Sequence, residues 1–340
     1  MKKRVVFGEQ ALTESSSSSH HSFPKQVRFQ ERAFAMGNIV GVNAYRTNRA
    51  ELKQRLAQEG YQVHETAHFL IGTQKGMPTL VVHWFAPQAI DSDLGHHFME
   101  ELKPLGMLVD SQSFGDVFGA VVNSVCPQDP QWAWHLFGTN TLQRFHHLLT
   151  IERYSPQCDS PIDVFATLYR RVCSLLVGDS LLDAGCSFGF LPLVVSECVP
   201  ALTKVAGVDI RTDPFPVTRV IAEERHLMNV QFAQADLLAD DFSTIGSFDT
   251  VTVLHVLEHF TEVDMYQVLT NLLKVTSRRL ILAVPFESGE AESAYGHEQL
   301  FTRAKFEALG QWCLEQLGGG RMNYEDCAGG LLFLDRPSSK

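Results

Sequence analysis

The chain has 340 residues, 45% of them hydrophobic and 20% charged, the balance of a globular protein long enough for two domains. Its formal net charge of −11 repels a phosphate backbone and so argues against nucleic acid as a partner. Seven scattered cysteines with no C-x-x-C pair exclude a disulfide framework or a cysteine zinc site, and read as buried thiols of a reducing compartment.

Residues 1–36 lack periodicity and carry the run Ser15 to Ser19 before His20 and His21, which predicts a disordered tail. The apolar Val5-Val6-Phe7 is too short for a signal-peptide core, and no run approaches membrane-spanning length. The expectation is a cytoplasmic protein with no membrane partner.

Residues 37–154 read as a small α+β domain. Ile39 to Val42 predicts a strand, and Thr47 or Asn48 caps a helix over Arg49 to Glu59 that Gly60 stops. His64 to Gly72 and Thr79 to Phe85 predict a hairpin around Gln74-Lys75-Gly76-Met77-Pro78. Two or three helices follow, including Asp91 to Lys103 and Gln131 to Leu149. The aromatic residues Trp84, Phe85, Trp132, Trp134 and Phe137 are most simply core. No chemistry is visible in this part. It either covers an acceptor site or serves as a dimerisation or partner module, so the oligomeric state is open.

Residues 155–340 form the third unit, entered through the linker-like Ser155 to Pro161 and a helix from Ile162 to Val177. Strands at Val205 to Ile210, Val230 to Ala235, Thr250 to His255 and Leu280 to Val284 alternate with helices that include Pro214 to Met228 and Glu262 to Val275. After a helix over Thr302 to Leu317, strands near Arg321 to Tyr324 and Leu331 to Asp335 are close enough to pair as a hairpin. The fold class is therefore α/β: a doubly wound, mostly parallel seven-stranded sheet with an antiparallel last strand, plus the smaller N-terminal domain.

This unit is built around Ser180-Leu181-Leu182-Asp183-Ala184-Gly185-Cys186-Ser187-Phe188-Gly189-Phe190. An apolar strand ends in an acid, turns through two glycines that can take positive φ, and reopens as a helix with Pro192 in its first turn. A helix start behind such a loop directs unpaired N–H groups at a ligand. The glycine loop alone suits NAD, FAD or S-adenosylmethionine. Two further acids, Asp209 and Asp236, end the next two strands. The first is placed for ribose hydroxyls, and the second for an adenine amino group with Leu237 against the ring.

With these residues in view, the chain resembles the class I, Rossmann-like S-adenosylmethionine-dependent methyltransferases over roughly Ile162 to Asp335. The matching segments are Leu182 to Gly189, Gly207-Val208-Asp209-Ile210, Gln234-Ala235-Asp236-Leu237, Phe248-Asp249-Thr250-Val251 and His255 to His259. The resemblance implies S-adenosyl-L-methionine as cofactor. By position it puts Gly185 and Gly189 under the methionine part and Asp183 near its amino group. Asp209 then falls on the ribose and Asp236 on the adenine, with Ser187, Ile210, Leu237 and His255 completing the cofactor set. Ser187 replaces the commoner middle glycine.

His255-Val256-Leu257-Glu258-His259 also spells an inverted zinc-protease motif, which requires both histidines on one face of one helix. Here the motif runs from a strand end into a loop, so no metal is assigned. If the methyl acceptor is a hydroxyl, a base of near-neutral pKa helps remove its proton. His259 is one candidate. His297, in Tyr295-Gly296-His297-Glu298-Gln299-Leu300-Phe301-Thr302, is the other, and that segment resembles the border of the acceptor site in small-molecule methyltransferases. The strand-end segments that mark base-directed methyltransferases are missing. The expected activity is methyl transfer to a small-molecule acceptor, first at oxygen. A non-catalytic cofactor-binding protein and a protein-directed methyltransferase are the alternatives.

Overall fold

The computed structural model describes residues 32–151, 160–287, 289 and 291–337. Residues 1–31 of the tail expected over 1–36, and most of the linker, lie outside the described residues. Ala33–Met36, assigned to the tail from sequence, instead forms a strand (β1). It pairs antiparallel with Ile39–Asn43 (β2) across a two-residue turn, from Ala33 opposite Val42 to Met36 opposite Ile39. Four residues are too few to show a period, which is why the sequence does not announce them.

Arg49–Gln58 (α1) begins where expected, with the Asn48 side chain accepting from the Glu51 N–H. The expected strand His64 to Gly72 is two strands, Gln62–Glu65 (β3) and Phe69–Thr73 (β4). They are folded back at residues 66–68, where the Thr66 hydroxyl accepts from the Phe69 N–H at 3.1 Å. Thr79–His83 (β5) pairs antiparallel with β4 and parallel with β2, giving the order β1-β2-β5-β4-β3. Alternate residues of this sheet face opposite sides. Val40, Val42, Leu70 and Val82 meet Leu52 and Leu56 of α1, while Phe69, Ile71 and Val81 turn to the other face. That face is covered by helices Leu94–Glu101 (α2), Ser111–Asn123 (α3) and Pro130–Thr150 (α4). α3 starts at a capping box between Asp110 and Ser113.

Pro161–Leu175 (α5) leads into the second sheet. Its strands are Ser180–Ala184 (β6), Lys204–Asp209 (β7), Val230–Gln234 (β8), Phe248–Leu254 (β9), Thr276–Val284 (β10), Arg321–Asp326 (β11) and Gly330–Asp335 (β12). The order is β11-β12-β10-β9-β6-β7-β8; β12 runs antiparallel to both of its neighbours and the remaining pairs are parallel. The connecting helices are Phe190–Cys198 (α6), Phe215–Glu224 (α7), Glu262–Val275 (α8) and Arg303–Gln316 (α9). α7 stops four residues short of the expected Met228, in a turn where His226 takes φ +58°.

The period of two again sorts the core. Leu181, Val205 and Ile281 share one apolar cluster with α4, α5, α6 and α7, and Leu182, Ala206 and Leu282 share another with α8 and α9. The first of these clusters also contains Phe69, Ile71 and Val81 of the N-terminal sheet. The two sheets are thus packed on a common layer of helices. Among the described residues, no helix is long and apolar enough to cross a membrane.

Candidate active site

Strands β6, β7, β8 and β9 are parallel, so their carboxyl ends open on one side. β6 sits between β7 and β9, where the winding reverses and a crevice forms. Asp183 lies next to the end of β6, 5% exposed, and its Oδ1 accepts from the Thr252 hydroxyl at 2.7 Å. Burial pushes its carboxyl up to about 7; the Thr252 hydrogen bond opposes the shift and the charge of Asp209 adds to it.

The Gly185 and Cys186 N–H groups both donate to the Val208 carbonyl, at 2.8 and 2.9 Å, which holds the loop against β7. Gly185 and Gly189 have φ of +79° and +80°, and a Cβ on Gly185 would come within 2.5 Å of Val256 Cγ2. Ser187 takes a left-handed φ of +49° without being glycine. Its N–H donates to Asp209 Oδ2 at 2.8 Å, and the Arg211 N–H donates to Oδ1 at 2.9 Å. Asp209 is therefore fixed at the strand end with lone pairs left over for two hydroxyls. α6 starts without a side-chain cap, so its first-turn N–H groups stay available beside the loop. Ile210 and Asp236 are exposed, and Leu237 is buried. A dry carboxylate, two glycine positions with no room for a Cβ and an anchored second acid are groups able to receive the ammonium, backbone and ribose of S-adenosylmethionine.

The shift at Asp183 has a consequence for stability. Its folded pKa lies above the unfolded one, so between about pH 4 and 7 the unfolded chain sheds a proton that the folded chain keeps, and stability falls as pH rises. At about 1.4 kcal/mol per pH unit the ceiling is about 4 kcal/mol. Asp183→Asn should therefore gain stability relative to the wild type as pH is raised across this window. Urea unfolding of both ligand-free proteins at several pH values checks it; a gap that does not change with pH would contradict the assignment.

The other rim begins at His255, directly after β9, with φ +53° and its N–H donating to the Ala283 carbonyl at 2.9 Å. Its ring packs on Phe165 of α5, centroids 5.0 Å apart, and burial pushes its pKa down to about 4. Leu257–His259 is a 3₁₀ turn, so the five-residue histidine motif is not helical and lacks the protease geometry. Within that turn Glu258 is 1% exposed and neither carboxylate oxygen has a hydrogen-bond partner. Burial, with Glu287 adding to it, pushes Glu258 up to about 8.

His259 Nδ1 lies 3.1 Å from the Gly296 carbonyl, and His297 Nδ1 lies 2.8 Å from Glu287 Oε1. The two rings meet edge-on with centroids 4.9 Å apart. The Glu298 and Gln299 N–H groups donate to the Glu258 carbonyl at 2.8 and 3.3 Å, stitching the segment after β10 to the 3₁₀ turn. The structure thus brings together His259 and His297, which the sequence places 38 positions apart. It adds Glu258 and Glu287, which sequence reasoning did not single out; the signal for Glu258 was its place inside the histidine motif.

The N-terminal helices touch both rims. Phe114 of α3 packs on Tyr295 with centroids 5.2 Å apart, and Lys103 pairs with Glu292. Phe137 of α4 packs on Phe188 of the glycine loop, centroids 5.5 Å apart.

Crevice, loop and acids together define an α/β enzyme of the nucleotide-cofactor type. Residues 181–279 match the model of a family described as a methyltransferase domain, and the enzyme is a methyltransferase with S-adenosylmethionine as its cofactor. No curated protein matches the sequence. Among solved structures, an O-methyltransferase family protein from Burkholderia thailandensis is 13% identical. It covers 86% of this chain and 84% of its own, with a TM-score of 0.47. Magnesium protoporphyrin IX methyltransferase from Synechocystis PCC 6803, with bound SAH, is 18% identical, covers 59% and 96%, and scores 0.41. A small RNA methyltransferase is 16% identical, covers 56% and 27%, and scores 0.45. Overlap this partial carries no argument about the acceptor.

Proposed function

We propose that this methyltransferase acts on a small-molecule acceptor and methylates it at oxygen. The observation that carries the reading is the pair His297–Glu287. A carboxylate can only accept the Nδ1 proton, which leaves the lone pair of His297 on Nε2, with His259 edge-on beside it. Burial lowers the pKa of His297 while Glu287 opposes the shift, so the resting ring is neutral and its Nε2 is free to accept a proton. Only an acceptor with a proton to lose, such as a hydroxyl, benefits from such a group.

When bound, S-adenosylmethionine supplies a methyl group on an already activated sulfonium. The chain then has to hold and align the two reactants, which can be worth about 7–11 kcal/mol. In this reading Asp183 takes the ammonium, Gly185, Ser187 and Gly189 the methionine backbone, Asp209 and Ile210 the ribose, and Asp236 and Leu237 the adenine. His255 closes the floor between cofactor and acceptor. α3 and α4 enclose the cleft from the N-terminal side, and the formal charge of −11 disfavours a nucleic-acid acceptor.

Incubation with methyl-labelled cofactor and a fractionated metabolite extract tests the reading. Label should appear in a small, alkali-stable ether product, and label on protein or RNA would overturn it. With the acceptor in hand, His297→Gln should lower kcat by roughly 10²- to 10⁴-fold with little change in cofactor binding. It should also remove the acidic limb of the kcat profile, which a merely structural histidine would leave in place.

A further inference from the structure

Glu258 is the group this site leaves unexplained. A carboxylate that is 1% exposed, with two unpartnered oxygens, is costly to bury and requires a partner. What surrounds it is a set of nitrogen donors. One ligand atom each from Glu258, His259 and His297 lie within 4.8 Å of one another. Both imidazoles are held from behind: His259 Nδ1 donates to the Gly296 carbonyl and His297 Nδ1 to Glu287, which leaves each lone pair on Nε2. Outer acceptors that fix tautomer and ring orientation in this way are what metal-ligating histidines have. His255 stands next to the set, its Nδ1 4.0 Å from Glu258 Oε1 and its Nε2 buried without a partner.

We propose that Glu258, His259 and His297 bind a divalent transition-metal cation on the acceptor side of the cleft. One carboxylate and two imidazoles suit Mn²⁺, Fe²⁺, Co²⁺ or Zn²⁺ and not the oxygen cages of Mg²⁺ or Ca²⁺. Three protein ligands leave positions open for an acceptor. The inference rests on the cleft being the acceptor site of an oxygen methyltransferase, and it says how the hydroxyl is handled there. With the cation bound, the His297 lone pair is spent on the metal, so this step replaces the proton transfer assigned to His297 in the metal-free site: the acceptor oxygen binds the cation, its pKa falls, and its proton passes to solvent. The oxygen then forms the new O–CH₃ bond as the C–S bond breaks, and the sulfur keeps that electron pair as a neutral thioether.

The test uses the full chain, stripped with a chelator and titrated with Co²⁺ alone, read by its visible absorption. Because His68, His97 and Glu101 form a second cluster able to take a metal, His68→Ala is titrated in parallel. The expected result is one equivalent bound with the spectrum of nitrogen and oxygen ligation, retained in His68→Ala and lost in Glu258→Gln. Glu287→Gln should bind roughly 10- to 100-fold more weakly. S-adenosylmethionine binding by calorimetry, present in every variant, shows that each is folded. No saturable Co²⁺ binding, or binding equal in Glu258→Gln, overturns the proposal while cofactor binding leaves the methyltransferase reading standing. A signal lost in His68→Ala instead also overturns it. Metal binding with label transferred only to protein or RNA would defeat the acceptor assignment and not the site.

Discussion

At about pH 8, Asp183→Asn is expected to weaken S-adenosylmethionine binding by roughly 100-fold. The side chain is buried at the end of β6 and held by the Thr252 hydroxyl, which an Asn carbonyl oxygen accepts equally well, so the geometry is kept and only the charge is removed. A hydrogen bond to a charged partner contributes about 1.5–3 kcal/mol, and the loss approaches the upper end in a dry pocket. The same burial makes binding pH-dependent. An ammonium pairs with the ionised carboxyl, whose pKa in the ligand-free protein is raised to about 7. Below that value the wild type has to release a proton on binding, and its affinity should fall by up to about 10-fold per pH unit. The Asn variant should show no such slope. Calorimetry of both proteins from about pH 5.5 to 8.5 measures this; equal affinities, or parallel slopes, would remove Asp183 from the cofactor site.

The second large effect is expected at Phe137, where α4 meets the glycine loop. Its ring packs on Phe118, Trp134 and Phe188, with centroids 5.5, 5.3 and 5.5 Å away. Phe137→Ala should cost about 3–5 kcal/mol, because helices fixed by several other contacts cannot collapse into the space. Phe188 keeps its stacking on Phe190, 4.8 Å away, but loses its contact with α4 in the same step, so cofactor affinity should drop even where the variant is fully folded. Trp132, 48% exposed on the same helix and stacked on His135, is the contrast: Trp132→Ala should change stability by no more than about 0.5 kcal/mol. Urea unfolding with and without cofactor separates the two effects. A cofactor affinity unchanged in folded Phe137→Ala would show that the N-terminal helices do not support the loop.

What the sequence could reveal follows from where its signals are local. The strand-loop-helix at Ser180 to Val195 is read directly, because an apolar run, an acid and two glycines are all contiguous. The helix Glu262 to Val275 is equally plain, and its boundaries agree with those of α8, which Thr261 caps. Signals that depend on distant chain are not readable. β1 exists because β2 offers it an edge, and the split between β3 and β4 depends on a turn at Thr66 with neither glycine nor proline in it. The rim of the site is legible by halves. His259 and His297 stand out as residue types, but the dry, unpartnered state of Glu258 arises only when the segment after β10 folds over the 3₁₀ turn. The motif that spells a helical zinc site is misleading as a helix, and its side chains meet through a different backbone path.

The place of β12 has a consequence for how the chain comes to its fold. The strand latest in sequence is not at the margin of the sheet but wedged between β10 and β11. While a ribosome is still making residues 330–335, the apolar segment Leu280 to Val284 shows a bare row of backbone donors and acceptors toward the missing neighbour. Synthesis is slow beside strand pairing, so every nascent copy passes through an interval in which β10 could join an extended segment of another chain. Pairing of those six residues with β10 closes that edge, and the stretch that closes it, Leu331 to Leu334, is as apolar as the strand it shields.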